Sequence, residues 1–76
     1  MTELEIIGKN IVRTRKEQNI TQEDLCGMAE IDRSFLSSVE NGKGNVSVKT
    51  LVTIANCLNT TLTNLVEKEK SSPKKA

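Results

Sequence analysis

The stretch Thr21–Asn41, TQEDLCGMAEIDRSFLSSVEN, decides the fold because it contains two closely spaced helix starts. Thr21 is a favourable N-cap residue, and Asp24, three positions later, can reach back to it as in a capping box. The helix that begins here is expected to be brief. It should end near Ala29, since Asp32 is already the next N-cap candidate.

The second helix of this stretch is predicted to run from Arg33 to about Asn41. Gly42 follows it, and glycine readily takes the left-handed conformation that ends many helices. Only two or three residues separate the two helices, so the second must cross the first steeply, as in a helix-turn-helix. Such a pair can place its second helix in the major groove of DNA, which is roughly 12 Å wide.

The outward face of this second helix carries one arginine, small polar residues and no carboxylate. If Leu36 and Val39 point inward, the residues that face away are Arg33, Ser34, Ser37, Ser38 and Asn41. Arginine can donate two hydrogen bonds to guanine, and serine or asparagine can bond bases or phosphates. An ordinary solvated face usually mixes in Glu and Lys, so the composition favours base readout, with Ser38 among the candidates.

Phe35, the single aromatic residue of the chain, is predicted to lie at the border between the core and this outward face. Two interpretations stay open. The ring can plug the core, or it can contact a thymine methyl group or wedge at a flexible base step. On the second interpretation Phe35 belongs to the candidate set for base readout.

Arg15 continues the apolar stripe of Ile7 and Ile11 by four further residues, which directs its side chain towards the core. A buried guanidinium requires a carboxylate partner. Glu40 continues the inward stripe of the second helix of the pair and is the best-placed candidate. We therefore predict a structural ion pair between Arg15 and Glu40.

The rest of the chain predicts an all-α bundle of five short helices. The first helix should run from about Glu3 to Gln18, while Ser47 and Thr61 are expected to cap the fourth and fifth. Residues 1–66 form a single domain on this interpretation, and residues 67–76 form a charged, flexible tail.

Composition alone does not favour nucleic acid. The net charge of the 76 residues is +1, and residues 1–66 hold seven basic and eight acidic side chains. The case for DNA therefore depends on where the charges point.

Several classes of function are excluded. The chain has no histidine, and its two cysteines, Cys26 and Cys57, lie in apolar helical patterns, which argues against a metal site and a disulfide. No nucleophile–base pair or carboxylate cluster is present, so we expect no enzyme, no cofactor and no small-molecule ligand. Without an apolar stretch of about 20 residues or a signal-peptide layout, the protein is expected to be soluble and cytoplasmic.

The sequence resembles the Cro/C1 (XRE) helix-turn-helix family of phage and bacterial regulators, which implies a lambda-repressor-like fold. The resemblance spans nearly all of residues 6–66 and is carried by Ile7-Gly8, Arg15-Lys16, Ile20-Thr21-Gln22-Glu23-Asp24-Leu25, Ile31-Asp32-Arg33-Ser34-Phe35-Leu36-Ser37 and Val39-Glu40-Asn41-Gly42. Within that family the chain looks most like the controller proteins of restriction–modification systems. These are small homodimers that bind palindromic operators and regulate their own gene and the endonuclease gene.

The resemblance also implies roles for individual residues. Arg33 and Ser34 would read base edges, and the residues expected along the DNA backbone are Gln22, Ser37, Asn41, Lys43, Asn45 and Lys49. The sequence departs from the family pattern at Glu30, where glycine is usual, at Cys26, where alanine is usual, and at Thr14, where an aliphatic residue is typical. A left-handed conformation at Glu30 would be strained.

A homodimer is expected because a lone recognition helix makes few base contacts, and two-fold dimers usually read such operators. The apolar residues beyond what a small core needs are Leu62, Leu65 and Val66, with help from Val52. We predict that they form an interface between two copies of the last helix. The alternative is that they only cover the core of one chain.

Three further alternatives concern partners and function. Glu23 and Asp24 are candidates for contact with RNA polymerase, although their capping role is an adequate explanation. A phage or plasmid immunity repressor or an antitoxin-type regulator would use the same fold and DNA face. A protein-binding adaptor that has lost DNA binding is disfavoured by the presence of Gln22, Arg33 and Lys43.

Overall fold

Five α-helices make up the part of the chain that the computed structural model describes, residues 2–68, and that part contains no β-strand. The helices are α1 (Glu3–Glu17), α2 (Gln22–Ala29), α3 (Arg33–Glu40), α4 (Val48–Cys57) and α5 (Leu62–Val66). The four predicted N-caps each accept a backbone hydrogen bond from the first turn that follows: Thr21, Asp32, Ser47 and Thr61. The predicted all-α bundle is confirmed, with α1 and α3 each one residue shorter than expected.

The core is closed by a ring of helix contacts. α1 packs against α3 and α5, α2 packs against α3 and α4, and α4 packs against α5. The largest apolar side chains with no exposed surface are Ile11, Leu25, Leu36, Ile54, Leu58 and Leu65. Because Leu36 and Val39 are the buried residues of α3, the opposite side of this helix faces outward, as predicted.

The link between α2 and α3 contains a left-handed residue, Glu30, with φ 57° and ψ 49°. The backbone N–H groups of Glu30 and Ile31 both donate to the carbonyl oxygen of Cys26, which ends α2 and turns the chain. A residue with a Cβ costs roughly 1–2 kcal/mol in this conformation. The strain that the sequence predicts for a left-handed Glu30 is therefore present in the turn.

Glu30→Gly is expected to raise the free energy of unfolding by about 0.5–1 kcal/mol, since the relief of strain exceeds the added entropy of the unfolded chain. Urea denaturation measures the change. Asn19→Gly is the matched control, because Asn19 is also left-handed, with φ 58°, but asparagine tolerates this region and should gain less. A Glu30→Gly protein no more stable than wild type would contradict the strain.

Thr14 buries a hydroxyl group near the C-terminal end of α1. Its side chain is 3% exposed, and Oγ1 has no hydrogen-bond partner among the described residues. Burying an unpaired hydroxyl costs about 1–3 kcal/mol by the measure of protein mutations. Thr14, which stands where the family typically has an aliphatic residue, thus weakens the core.

Thr14→Val keeps the shape of the side chain and removes the unpaired hydroxyl, so we expect a gain of about 1–2 kcal/mol in the free energy of unfolding. Thermal unfolding of Thr53→Val provides the comparison, because the exposed Thr53 hydroxyl donates to the carbonyl of Lys49. If both variants shift the melting temperature equally, the gain does not come from the buried hydroxyl.

The folded domain extends at least one residue beyond the predicted boundary at 66. The carbonyl oxygen of Glu67 accepts a hydrogen bond from the side chain of Asn10, at 2.7 Å. Of the predicted tail, residues 69–76 lie outside the described residues. Across the described range, no helix has both the length and the apolar character needed to cross a membrane.

Candidate nucleic-acid interface

A shallow depression of about 520 Å³ lies along the outward side of α3. Its lining residues, here called the α3 face, are Gln22, Arg33, Ser34, Ser37, Ser38, Asn41 and Lys43. They come from the first residue of α2, from α3 and from the loop that follows α3. All seven belong to the set that the sequence predicts for base or backbone contact, and the structure brings them together on one surface.

The α3 face carries two cationic side chains, Arg33 and Lys43, and its lining includes no carboxylate. Both cations are exposed, and so are Ser34 and Asn41, whereas Ser37, Ser38 and Gln22 are half-buried. Exposed cations beside small hydroxyl and amide groups supply donors for phosphate and for base edges. The arrangement can therefore bind a polyanion and read the groups in a groove.

Three residues of the predicted set do not line this depression. Asn45 and Lys49 are exposed, but they lie further along the chain, at the end of the loop and in α4. Phe35 is half-buried and packs against the core. Its ring thus serves at least partly as a core plug, the first of the two interpretations that the sequence leaves open.

The start of α3 is fixed by Asp32. One carboxylate oxygen, Oδ2, accepts hydrogen bonds from the backbone N–H groups of Ser34 at 2.9 Å and Phe35 at 3.2 Å. A capped first turn holds the backbone that carries Arg33 and Ser34. These two side chains therefore extend from a rigid helix end.

The loop after α3 is held by backbone hydrogen bonds. The N–H groups of Lys43 and Gly44 donate to the carbonyl oxygen of Ser38, at 3.0 and 3.3 Å. Gly42 has φ 75°, and a Cβ at this position would lie 2.8 Å from Cγ of Glu5. Glycine at position 42 thus permits the tight turn that returns Lys43 to the edge of the α3 face.

A buried ion pair supports the α3 face from inside, as the sequence predicts. The guanidinium of Arg15 donates to both carboxylate oxygens of Glu40, Nε to Oε2 at 2.9 Å and Nη2 to Oε1 at 3.1 Å. Nη1 of Arg15 also donates to the carbonyl oxygen of Ile20, at 3.1 Å. The pair joins α1 to the end of α3, so it fixes the position of α3 relative to α1.

Gln22 belongs both to this network and to the surface. Its Nε2 donates to Oε1 of Glu40 at 2.8 Å. A side-chain amide has two N–H donors, so a second one remains for another acceptor. The contact fixes the orientation of Gln22 at the edge of the α3 face, where the sequence predicts a phosphate contact.

The predicted dimer surface requires one correction. Leu65 has no exposed surface and belongs to the core, so its side chain is not available to a second copy. In so short a helix, the spacing of the apolar residues does not reveal which of them face the core. Val52 and Val66 are 40% and 42% exposed, and Leu62 is half-buried.

Two residues that bear on this surface were not predicted from the sequence. Val48 is 64% exposed and lies four residues before Val52, a spacing that could have placed it on the same side of α4. Asn10 is 1% exposed and bonds to the end of α5. The available signal was its position three residues after Ile7, which puts Asn10 on the buried side of α1.

Of the two acidic residues at the start of α2, one caps the helix and the other is exposed to solvent. Asp24 closes the predicted capping box, since Oδ2 accepts from the N–H of Thr21 at 3.1 Å and its own N–H donates to Oγ1 of Thr21 at 3.0 Å. Glu23 is exposed in the same turn. Capping thus accounts for Asp24, while Glu23 offers its carboxylate to solvent.

Both cysteines are free and half-buried. Burial raises the pKa of the Cys26 thiol above its ordinary value, against a smaller opposing effect of Arg33. A raised pKa keeps the thiol protonated at neutral pH, where it is a poor nucleophile. Cys26 is thus a half-buried residue of α2 that packs against the core.

Comparison with known proteins places this geometry in a family. The chain matches the helix-turn-helix family model HTH_3 over residues 11–65. The control protein C.MunI from a Mycoplasma species is 39% identical over 66 residues, covering 82% of this chain and 89% of that protein. The solved structure of the restriction-modification controller protein C.AhdI from Aeromonas hydrophila has a TM-score of 0.78 and 29% identity, covering 82% of this chain and 94% of that one.

A second solved structure shows a relative with its ligand. SinR, a master regulator for biofilm formation, was solved in complex with DNA and has a TM-score of 0.75 and 31% identity, covering 80% of this chain and 98% of that one. The family match spans α2, the left-handed turn and α3. The chain therefore belongs to the HTH_3 helix-turn-helix family of DNA-binding regulators, which are not enzymes, and it is homologous to restriction-modification controller proteins.

Proposed function

We propose that this protein is a sequence-specific transcription regulator that binds double-stranded DNA through the α3 face. The observation that carries the proposal is the composition of that face: exposed Arg33 and Lys43 among hydroxyl and amide groups, with no carboxylate in the lining. Arg33 and Ser34, on the capped end of α3, would read base edges. Phosphates would be bound by Gln22, Ser37, Asn41 and Lys43. Asn45 and Lys49 would bind further phosphates of the same DNA backbone.

The controller homologues supply the biological context of the proposal. C.MunI is named a control protein, and C.AhdI is named a restriction-modification controller protein. We infer that the protein acts in the bacterial cytoplasm on palindromic operators that control its own gene and a restriction endonuclease gene. Glu23, exposed in the first turn of α2, is the candidate contact for RNA polymerase if the protein activates transcription.

A homodimer is the proposed binding form. Val52 and Val66 are exposed apolar side chains on α4 and α5, two helices that pack against each other, and Leu62 is half-buried. A two-fold pair of recognition helices suits half-sites about one helical turn apart, roughly 34–36 Å. The proposed interface therefore consists of Val52, Leu62 and Val66, without the buried Leu65.

Sedimentation of Val66→Asp tests the interface, since a carboxylate there would have to be buried without a partner. We expect this variant to sediment as a monomer where wild type is a dimer. Met28→Asp makes the same change at another exposed apolar residue, 49% exposed on α2, and should remain dimeric. A dimeric Val66→Asp protein would contradict the assignment of this interface.

A gel-shift titration tests DNA recognition. DNA from immediately upstream of the gene is compared with random DNA of the same length, at several salt concentrations. We expect upstream DNA to bind at least about 10³-fold more tightly, with affinity falling as salt rises. Weak binding that is equal for both DNAs would mean that the fold serves a protein partner instead.

A further inference from the structure

We propose that Asn10 is a positioning residue for self-association, because its side-chain amide fixes the end of α5 that presents Val66. The inference rests on the proposed homodimer. It extends that proposal by assigning part of the interface geometry to a residue of α1 that lies wholly inside the chain.

All the hydrogen-bonding atoms of the Asn10 amide are engaged. Its Nδ2 donates to the carbonyl oxygens of Leu65 and Glu67, each at 2.7 Å. Its Oδ1 accepts from Nη1 of Arg13 at 2.8 Å. The two acceptors lie on either side of Val66 in the chain, so a single side chain holds the backbone before and after this exposed valine.

α5 needs such an anchor because it has only five residues. A helix this short is not stable by itself, and the carbonyl groups of its last turn have no partner within the helix. Leu65 anchors one side of the helix in the core. Asn10 donates to one of these carbonyls, that of Leu65, and also to the carbonyl of the C-cap residue Glu67. The two bonds fix the rotation of the last turn and hence the direction of Val66.

Packing of the core alone would not select asparagine at this position. Asn10 lies among Ile7, Ile11 and Thr14 on the buried side of α1, where an apolar residue would pack without any need for hydrogen bonds. A buried amide is tolerated only when its partners are correctly placed. The partners here are at the end of α5, so the benefit of asparagine is the placement of that helix.

Asn10→Leu tests the proposal by sedimentation equilibrium, with thermal unfolding measured in parallel. The substitution fills similar space but removes both donors, so we expect the dimer dissociation constant to rise at least about tenfold. Ile7→Val is the matched control on α1, a core change that lowers stability and should leave the dissociation constant within about twofold of wild type.

The outcomes separate the inference from the proposed function. If wild type is monomeric at every concentration, the homodimer itself is wrong. If wild type is a dimer and Asn10→Leu dimerises equally well, the positioning role is wrong. An equal weakening by Ile7→Val would show that the dimer responds only to general stability, which also overturns the inference.

Hydrogen exchange on the wild-type protein gives a second test that does not depend on a variant folding. The N–H groups of Leu65 and Glu67 donate to the carbonyls of Thr61 and Thr63. At concentrations where the protein is monomeric, we expect both amides to exchange slowly, because α5 is already held. Exchange as fast as in an unstructured chain, slowed only on dimerisation, would show that the partner and not Asn10 orders α5.

Discussion

Glu40→Ala is expected to lower the free energy of unfolding by about 3–5 kcal/mol, because it leaves the Arg15 guanidinium buried without a counter-charge. The side chains of Arg15 and Glu40 are 11% and 5% exposed, so water cannot replace the lost carboxylate efficiently. A domain of this size has a total stability of roughly 4–11 kcal/mol. The variant should therefore be unfolded at much lower urea concentrations than wild type.

The double variant Arg15→Met with Glu40→Leu is the control for Glu40→Ala. It removes both charges and fills their space, and such replacements are often neutral or stabilising. We expect its stability to lie within about 1 kcal/mol of wild type. If Glu40→Ala alone costs less than about 1 kcal/mol, the ion pair is accessible to water and does not fix α3 on α1.

Gly8→Ala is expected to destabilise the protein by about 3 kcal/mol, the upper part of the range for overpacking a core. A Cβ at Gly8 would lie 2.6 Å from the carbonyl oxygens of both Val39 and Glu40. These are backbone atoms, so α3 would have to move away from α1 as a unit. For a domain of this size the melting temperature should fall by roughly 12–24 °C.

Gly27→Ala is the matched control for Gly8→Ala, because Gly27 also lies within a helix but a Cβ there would meet nothing within 4 Å. Alanine is the better helix former by roughly 0.5–1 kcal/mol, so this variant should be more stable than wild type. Opposite signs for the two substitutions are the expected result. If both substitutions raised the free energy of unfolding equally, α1 and α3 would have to lie further apart than the 2.6 Å approach at Gly8 allows.

Most of the fold could be predicted because its determinants are local. Thr21, Asp32, Ser47 and Thr61 are N-caps, and a capping residue acts on the turn that follows it. The pairing of Arg15 with Glu40 could also be inferred, since each continues an apolar stripe and a buried charge requires a partner. The members of the α3 face that lie on or directly after α3, from Arg33 to Asn41, followed from the inward positions of Leu36 and Val39. Gln22 and Lys43 were implied only by the family resemblance.

The features that sequence reasoning missed depend on contacts between distant parts of the chain. Leu65 and Val66 are adjacent apolar residues, and only the packing of α5 on α1 and α4 buries one and exposes the other. The close approach at Gly8 involves the carbonyls of a different helix, which no local pattern reveals. Asn10 donates to carbonyls 55 and 57 residues away, which no pattern within α1 reveals.

The most direct test of the central claim, that α3 reads base edges, is a gel-shift titration of Arg33→Ala beside Lys43→Ala on upstream and random DNA at fixed salt. We predict that Arg33→Ala loses about 1–3 kcal/mol of binding free energy on upstream DNA and much less on random DNA. Lys43→Ala, as a phosphate contact, should weaken both by similar amounts. An Arg33→Ala protein that still distinguishes upstream from random DNA as wild type does would contradict base readout by α3.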